Sequence, residues 1–261
     1  MTFLDIALNI EVHYYNLEMY TYFNFLIFYK INMRILWCIT GAGHFLTDTF
    51  KFMKNISEEN EIIALFSNAG LEVVRMYGLY DEIENISINV IKERERGYSG
   101  DIIVGRLAMK EYDKVLIAPC TANTVAKIVY GIADSLVSNV AAQAIKCNVP
   151  VFVLPTDVER EQITEIPLNI NSKKCRNCSK CIPMEVCPNY ALYRSDKIRV
   201  NILKCNACLI CIDKCKYNAI SFGEKIKIRI RSIDLRNVEK LEGMEGIKVI
   251  RKVDDLISLL I

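Results

Sequence analysis

The chain has 261 residues, 52% of them hydrophobic and 25% charged, with a net charge of +2. That balance describes a globular protein with a full core, and it provides no general field for a polyanion, so no nucleic-acid partner is expected. Two histidines in the whole chain leave no room for chemistry built on several imidazoles.

Residues 1–32 differ in composition from the rest of the chain. Met19 to Tyr29 is an uncharged aromatic run of eleven residues, short of the roughly 20 needed to cross a bilayer. It also lacks the preceding positive charge of a signal peptide. Met33-Arg34-Ile35-Leu36-Trp37 then opens like a fresh N-terminus on a buried strand. The expectation is that residues 1–32 are a mis-assigned or disordered extension. An interfacial membrane helix is the alternative.

From Arg34 the pattern alternates strand and helix. Strands are expected at Ile35–Ile39, Ile62–Phe66, Val115–Ala118 and Val149–Leu154. Helices are expected over His44–Lys54, after Gly70, through Val129 and over Asp134–Lys146. This order predicts an α/β fold with a doubly wound parallel sheet covered on both faces. Three polar turns, beginning at Thr40, Ser67 and Pro119, fall at carboxyl ends of strands, where open sheets receive ligands and helix N-termini offer N–H groups to phosphate. Gly41-Ala42-Gly43 suits close backbone approach. On the residues alone it reads equally as a phosphate cradle or as a plain strand-to-helix turn. With Leu46 in place of a third glycine it is not a dinucleotide fingerprint.

Ile39-Thr40-Gly41-Ala42-Gly43-His44, Ser67-Asn68-Ala69 and Ala118-Pro119-Cys120-Thr121-Ala122-Asn123-Thr124 resemble the flavoprotein family of homo-oligomeric flavin-containing cysteine decarboxylases. The resemblance covers about Met33 to Asp157 and implies an FMN-binding domain assembled as a trimer or larger homo-oligomer. It implies that Thr40, Gly41, Gly43 and Ser67 surround the FMN phosphate, and that Pro119, Thr121, Ala122, Asn123 and Thr124 border the flavin ring. Two departures count against decarboxylation. The family's catalytic histidine is missing near Gly105, and Pro155-Thr156-Asp157-Val158 stands where a Pro-x-Met-Asn clamp is expected.

Eight of the eleven cysteines lie in two later runs, Cys175-x2-Cys178-x2-Cys181-x5-Cys187 and Cys205-x2-Cys208-x2-Cys211-x3-Cys215. Disulfides need an oxidising compartment, and structural zinc favours pairs of Cys-x2-Cys over triplets. The runs resemble bacterial-type two-cluster ferredoxins, in which the remote cysteine of each run serves the other cluster. One [4Fe–4S] cluster is therefore assigned to Cys175, Cys178, Cys181 and Cys215, and the second to Cys205, Cys208, Cys211 and Cys187. Asn189-Tyr190-Ala191-Leu192 and Tyr217-Asn218-Ala219-Ile220 repeat each other, which marks the segment as an internal duplication. Cys38, Cys120 and Cys147 are expected to pack as small apolar residues.

The organisation expected is an extension at 1–32, an FMN domain at 33–165, an α+β ferredoxin-type 2[4Fe–4S] domain at 166–222 and an α/β tail at 223–261. In the tail, Lys225 to Arg231 alternates as a strand, and helices at Val238–Met244 and Asp254–Leu260 flank a strand at Ile247–Ile250. The basic side of the Lys225 strand reads as a solvated face, or as a docking surface for an acidic donor. Whether the tail joins the ferredoxin or the flavin sheet is left open. The combination of modules is similar to archaeal flavoproteins of the acceptor-type dihydromethanopterin reductase group. Clusters held by thiolates need a reducing interior, so a cytoplasmic protein with no membrane partner is expected, and the resemblance implies an enzyme whose redox chemistry needs no nucleophilic side chain. It would pass electrons from a low-potential donor, a protein such as reduced ferredoxin, through two [4Fe–4S] clusters to FMN and on to a pterin. The alternative is an electron carrier between proteins with no small-molecule substrate.

Overall fold

Four nearly uninterrupted apolar stretches form the middle of a parallel sheet, as strands buried on both faces must. The computed structural model describes residues 32–93 and 100–260. The expected extension therefore lies outside the described residues, apart from Asn32. The chain runs β1 (Arg34–Ile39), α1 (Leu46–Ile56), β2 (Glu61–Phe66), α2 (Asn68–Met76), α3 (Tyr80–Ile86), β3 (Asn89–Lys92), α4 (Gly100–Ala108), β4 (Lys114–Cys120), α5 (Ala122–Val129), α6 (Leu136–Lys146) and β5 (Val151–Pro155). Smaller elements come next: β6 (Glu161–Ile166), β7 (Asn169–Ile170), α7 (Ile182–Glu185), β8 (Leu192–Arg194), β9 (Ile198–Val200), α8 (Ile210–Asp213), β10 (Ile220–Ser221) and β11 (Glu224–Arg229). Last are α9 (Ser232–Glu242), β12 (Ile247–Val249) and a 3-10 helix, Val253–Leu259.

The main sheet has the order β12-β5-β4-β1-β2-β3, with every pair parallel. Alternation along each strand divides its side chains between two cores. Leu36, Cys38, Ile63, Leu65, Val115, Ile117, Val151 and Val153 face one core, closed by α4, α5, α6 and α9. Ile35, Trp37, Ile39, Ile62, Ala64, Phe66, Leu116, Ala118, Phe152 and Leu154 face the other, closed by α1, α2, α3 and the final 3-10 helix. The sheet is therefore doubly wound. Its order reverses between β1 and β4, the point where such sheets hold their ligands.

Several sequence expectations are adjusted. The strand expected at Val115–Ala118 continues through Pro119 to Cys120, which pairs with Pro155 after a shift in register. Helix α1 starts at Leu46, because Phe45 takes a left-handed conformation (φ 65°). Helix α6 starts at Leu136, where Ser135 and Ser138 form a capping box. β3, not expected from the sequence, is a half-exposed edge with only Val90 and Ile91 apolar. In the tail, the first helix begins as early as Ser232, and the second is a 3-10 helix. The open question about the tail is answered by register: Ile247, Lys248 and Val249 pair with Val151, Phe152 and Val153. The chain thus leaves the sheet after β5, forms the cysteine-rich segment, and returns to the sheet's edge. Cys38 and Cys120 are fully buried and Cys147 packs against the same core, as expected of small apolar side chains.

The cysteine-rich segment keeps its duplicate form in the backbone. Asn177 and Ala207, each two residues after the first cysteine of its run, have φ of 49° and 53°. Tyr190 and Asn218, each three residues after the last cysteine, have φ of 50° and 48°. Its own core is small. Leu168, Leu192, Cys211 and Ile220 are its buried members, with Ile170, Met184, Val200 and Phe222 among those packed around them.

Candidate functional site

At the switch point Thr40 joins β1 to β4. Its hydroxyl donates to the Pro119 carbonyl (2.7 Å) and accepts from the Thr121 N–H (2.9 Å), while its own N–H also donates to Pro119 (3.2 Å). Thr40 is 1% exposed, so these bonds are shielded from competing water. Thr121 in turn caps α5: its Oγ1 accepts from the Thr124 N–H and lies 3.2 Å from the Thr124 hydroxyl. Ala122 and Asn123 form the first turn of α5, whose N-terminus carries partial positive charge.

Ser67 caps α2 beside this edge, its Oγ accepting from the Gly70 N–H at 3.0 Å. The turns after β1 and β2 are in contact. A Cβ on Gly41 would lie 2.6 Å from the Ala69 methyl, and one on Gly70 would lie 2.1 Å from the Ile39 carbonyl. A Cβ on Gly43 would meet the Tyr77 phenol oxygen at 2.2 Å. Gly43 thus lets Tyr77 lie across the turn, where it donates to the Glu165 carbonyl (2.6 Å) and meets the Phe222 ring edge-on. All nine residues singled out for flavin in the sequence, from Thr40, Gly41, Gly43 and Ser67 to Pro119 and the Thr121–Thr124 turn, fall at the carboxyl ends of β1, β2 and β4.

Two features escaped sequence reasoning. Glu93, just beyond β3, accepts from the Asn68 N–H (3.0 Å) and the Leu136 N–H (2.7 Å), so one carboxylate fills the anion position at the starts of α2 and α6. Its sequence signal is weak, one of two acids in the alternating run Lys92-Glu93-Arg94-Glu95-Arg96. His44 is half-buried, and burial lowers its pKa against the opposing pull of Asp157, Asp48 and Glu159. Burial, then the neighbouring Asp234, raise Asp157 above the usual carboxylate range.

The cysteines fall into the two crossed sets. Cys175, Cys178, Cys181 and Cys215 line one cavity of about 100 Å³, walled also by Ile182, Pro183 and Ile220. That is several times the roughly 10–15 Å³ that one water occupies by such a measure. Among the described residues no three His, Cys, Asp or Glu side chains converge on a single-ion site. Thiols spaced around a cavity of this size suit a multi-atom group better than a lone ion. In the second set, burial pushes the Cys211 thiol up to about 11, and Cys205, Cys187 and Cys208 act in the same direction. Cys205 is likewise raised by burial, with Cys208 and Cys187 adding to it. With nothing bound, thiols this close stay protonated; a cationic centre among them would favour the thiolates instead. The left-handed residues Asn177 and Ala207 give each loop the backbone form that builds anion-binding nests, a known setting for iron–sulfur groups. The Ala191 N–H donates to the Cys187 sulfur at 3.3 Å. The residues present therefore fit two sulfur-ligated clusters.

The segment is docked to the parallel-sheet part of the chain through its second loop. A Cβ on Gly78, at the end of α2, would lie 3.1 Å from the Asn206 carbonyl and the Ala207 methyl, between Cys205 and Cys208. Cys205 also borders a groove with Arg75, Gly78, Tyr80 and Asp81.

Comparison with known proteins agrees with the fold of the parallel sheet. The family model described as Flavoprotein matches residues 29–170. The chain is 41% identical to the dihydromethanopterin reductase (acceptor) of Methanosarcina mazei over 87% of this chain and 98% of that one. It is 46% identical to the protein of the same name from Methanocaldococcus jannaschii, over 85% and 94% respectively. Among solved structures, Burkholderia xenovorans DmrB in complex with FMN, described as a cubic protein cage for redox transfer, aligns with a TM-score of 0.59 and 26% identity. That alignment covers 89% of this chain and 95% of DmrB.

Proposed function

The chain belongs to the flavoprotein family, and from that premise we propose an FMN-dependent reductase that takes electrons through two [4Fe–4S] clusters and delivers them to a pterin such as dihydromethanopterin. The reductase reading is supported by the two curated relatives of that name, and the FMN by the flavin-bound relative. The observation that carries the relay is the gathering of Cys175, Cys178, Cys181 and Cys215 around one cavity, in a segment whose sister loop rests on α2. Bound FMN would exchange hydride with an organic acceptor, and sulfur-ligated clusters would exchange single electrons.

The chain's own residues have binding and positioning roles. Thr40 locks the two strands that diverge at the switch point, so Pro119 and the Thr121–Thr124 turn present a fixed edge to the flavin ring. The Ser67 hydroxyl accepts from Gly70 and keeps its proton for a phosphate oxygen, with Gly41 and Gly43 keeping the turn free of side chains. Tyr77 spans from that turn to Glu165 and Phe222, holding the cysteine-rich segment against the flavin edge. The protein would act in the cytoplasm as a homo-oligomer, a trimer or a multiple of one; that it assembles at all is supported by DmrB, described as a cubic protein cage. Among the described residues no helix is long and apolar enough to cross a membrane.

The test is anaerobic turnover with a panel of pterins and quinones, on protein whose iron, acid-labile sulfide and FMN have been measured. About eight irons and eight sulfides per chain are expected from two cubane clusters. Full cofactor loading with no turnover of any pterin would refute the substrate, and absence of iron would refute the relay.

A further inference from the structure

The net charge of +2 conceals a division within the chain. Residues 171–223 hold ten Lys and Arg against three Asp and Glu, so the rest of the chain is net negative. Four of the ten gather at one place. Arg176, Lys180, Lys214 and Lys216 line the same cavity as Cys175, Cys178, Cys181 and Cys215, all four cations are exposed, and no carboxylate lines it. Of the segment's three acids, Asp196 is held by Arg199 at 2.8 Å, Glu185 lies 3.8 Å from Lys180, and Asp213 stands beside Lys214 in the sequence. Between the cations lie exposed apolar groups, with Ile182 48% and Tyr217 40% accessible. An apolar centre with a charged rim is the anatomy of a protein-docking surface.

The other cationic run does not share this character. On β11, Lys225 is in register with Glu165 and Arg229 with Glu161, and Lys227 forms an ion pair with Glu161. Its field is locally weakened, with two β6 carboxylates facing three β11 cations. The two cysteine sets also differ in their surroundings. The cavity of the Cys175 set is lined only by residues between 170 and 220, whereas the Cys205 loop rests on Gly78 of the flavin sheet.

We propose that the cationic face over Cys175, Cys178, Cys181 and Cys215 is the docking surface for an acidic protein that carries single electrons, and that electrons enter the chain there. This rests on the reading that clusters and FMN are bound. Each encounter would oxidise the donor by one electron, which a cluster held by Cys175, Cys178, Cys181 and Cys215 would accept. The Cys205 set, against α2, would lie on the side toward the flavin. Two encounters would supply the electron pair that a two-electron acceptor needs.

The experiment uses the full, cofactor-loaded chain and, as probe, an oxidised acidic two-cluster ferredoxin, with affinity measured by calorimetry and no turnover. Binding is compared at roughly 0.1 M and 1 M salt, between which the screening length falls from about 10 to about 3 Å. The variant Lys180→Gln/Lys214→Gln/Lys216→Gln is set against Lys225→Gln/Lys227→Gln/Arg229→Gln, and iron content and photoreduction, which needs no docking, are measured on both. The expectation is that affinity falls on the order of tenfold or more at high salt and in the first variant, and stays within about twofold in the second. Unchanged binding by the first variant, loss confined to the second, or no binding of the probe by the loaded wild-type chain would each overturn the proposal. A chain found to lack iron would instead overturn the relay on which the proposal rests.

Discussion

The Thr40 hydroxyl stands between Pro119 and Thr121, donating to the carbonyl of one at 2.7 Å and accepting from the N–H of the other at 2.9 Å. β1 and β4 are the strands from which the sheet's order runs in opposite directions, so their ends need a link that no ladder supplies beyond them. A β-branched side chain with one hydroxyl fits: it tolerates the strand end, and its oxygen can donate and accept at once.

Replacing Thr40 with Val keeps the shape and removes both side-chain bonds. The Thr121 N–H would lose its acceptor in a part-buried place, a loss that costs about 1–3 kcal/mol. The urea midpoint should fall and flavin affinity should weaken with it, while Thr40→Ser should retain most of both. Equal behaviour of the Val and Ser variants would show that the hydroxyl is not what holds the edge.

The glycines of the turns should differ by what opposes them. A methyl at Gly70 meets the Ile39 backbone carbonyl at 2.1 Å, whereas one at Gly43 meets the far end of the Tyr77 side chain at 2.2 Å. Backbone in the central strand cannot yield, but a tyrosine can rotate away. Gly70→Ala is expected to destabilise by about 1–3 kcal/mol or more, as overpacking does. Gly43→Ala should cost less and instead loosen Tyr77 from Glu165, read as faster amide exchange in β6. A milder effect for Gly70→Ala than for Gly43→Ala would contradict this ranking.

If the proposed clusters are bound, the cysteine-rich segment should depend on them in a way the sheet does not. Its core has four buried members, and a core that small seldom holds a fold without metal or disulfide. Stripping iron anaerobically with a chelator should unfold residues near Leu168, Leu192 and Ile220 while the parallel sheet stays protected from hydrogen exchange. Cys187→Ala should damage the cluster otherwise bound by Cys205, Cys208 and Cys211. Spectroscopic loss confined to the Cys175 run would disprove the crossed assignment.

How far the sequence can be read depends on whether a signal is local. β1, β2, β4 and β5 announce themselves because strands buried on both faces are unbroken apolar runs. The turns at Thr40, Ser67 and Pro119 lie where those runs stop. The two cysteine triplets are plain from their spacing, and their crossing from the likeness to two-cluster ferredoxins. β3 is lost because an edge strand of four residues with two apolar ones carries no period. The return of β12 to the sheet is undecidable in sequence, since three residues around Lys248 fit either module and only pairing with Val151 to Val153 chooses. The cationic face is hidden by the whole-chain charge, in which ten bases of one segment are offset by acids elsewhere. Lys225–Arg231 is the more visible basic run, because its alternation is plain in sequence, but Glu161 and Glu165 of β6 offset part of its charge and Asp234 holds Arg231.

His44 gives a pH signature whose sign can be worked out. Burial holds the folded imidazole below its ordinary value of 6.5, so as pH falls through 6.5 the unfolded chain takes up a proton that the folded one still refuses. Stability linked to His44 is therefore fully present above 6.5 and is lost as pH falls through the folded pKa. Asp157 works the other way. Its folded pKa is raised above 3.8, so its contribution is present below 3.8 and is lost as pH rises through the folded value. Between the two windows the effects do not cancel, because one begins near 6.5 and the other near 3.8. With His13 the only other histidine, the ring resonances of His44 can be assigned by their loss in His44→Gln and titrated directly. The titration should fall below 6.5 in the wild type and move lower still in Asp157→Asn, where the carboxylate that favours the charged ring is gone. Hydrogen-exchange protection of α1 should decline between pH 6.5 and the measured pKa in the wild type and hold steady in His44→Gln. An imidazole that titrates at or above 6.5, or a decline that persists in His44→Gln, would show that burial at this turn does not set the pH response.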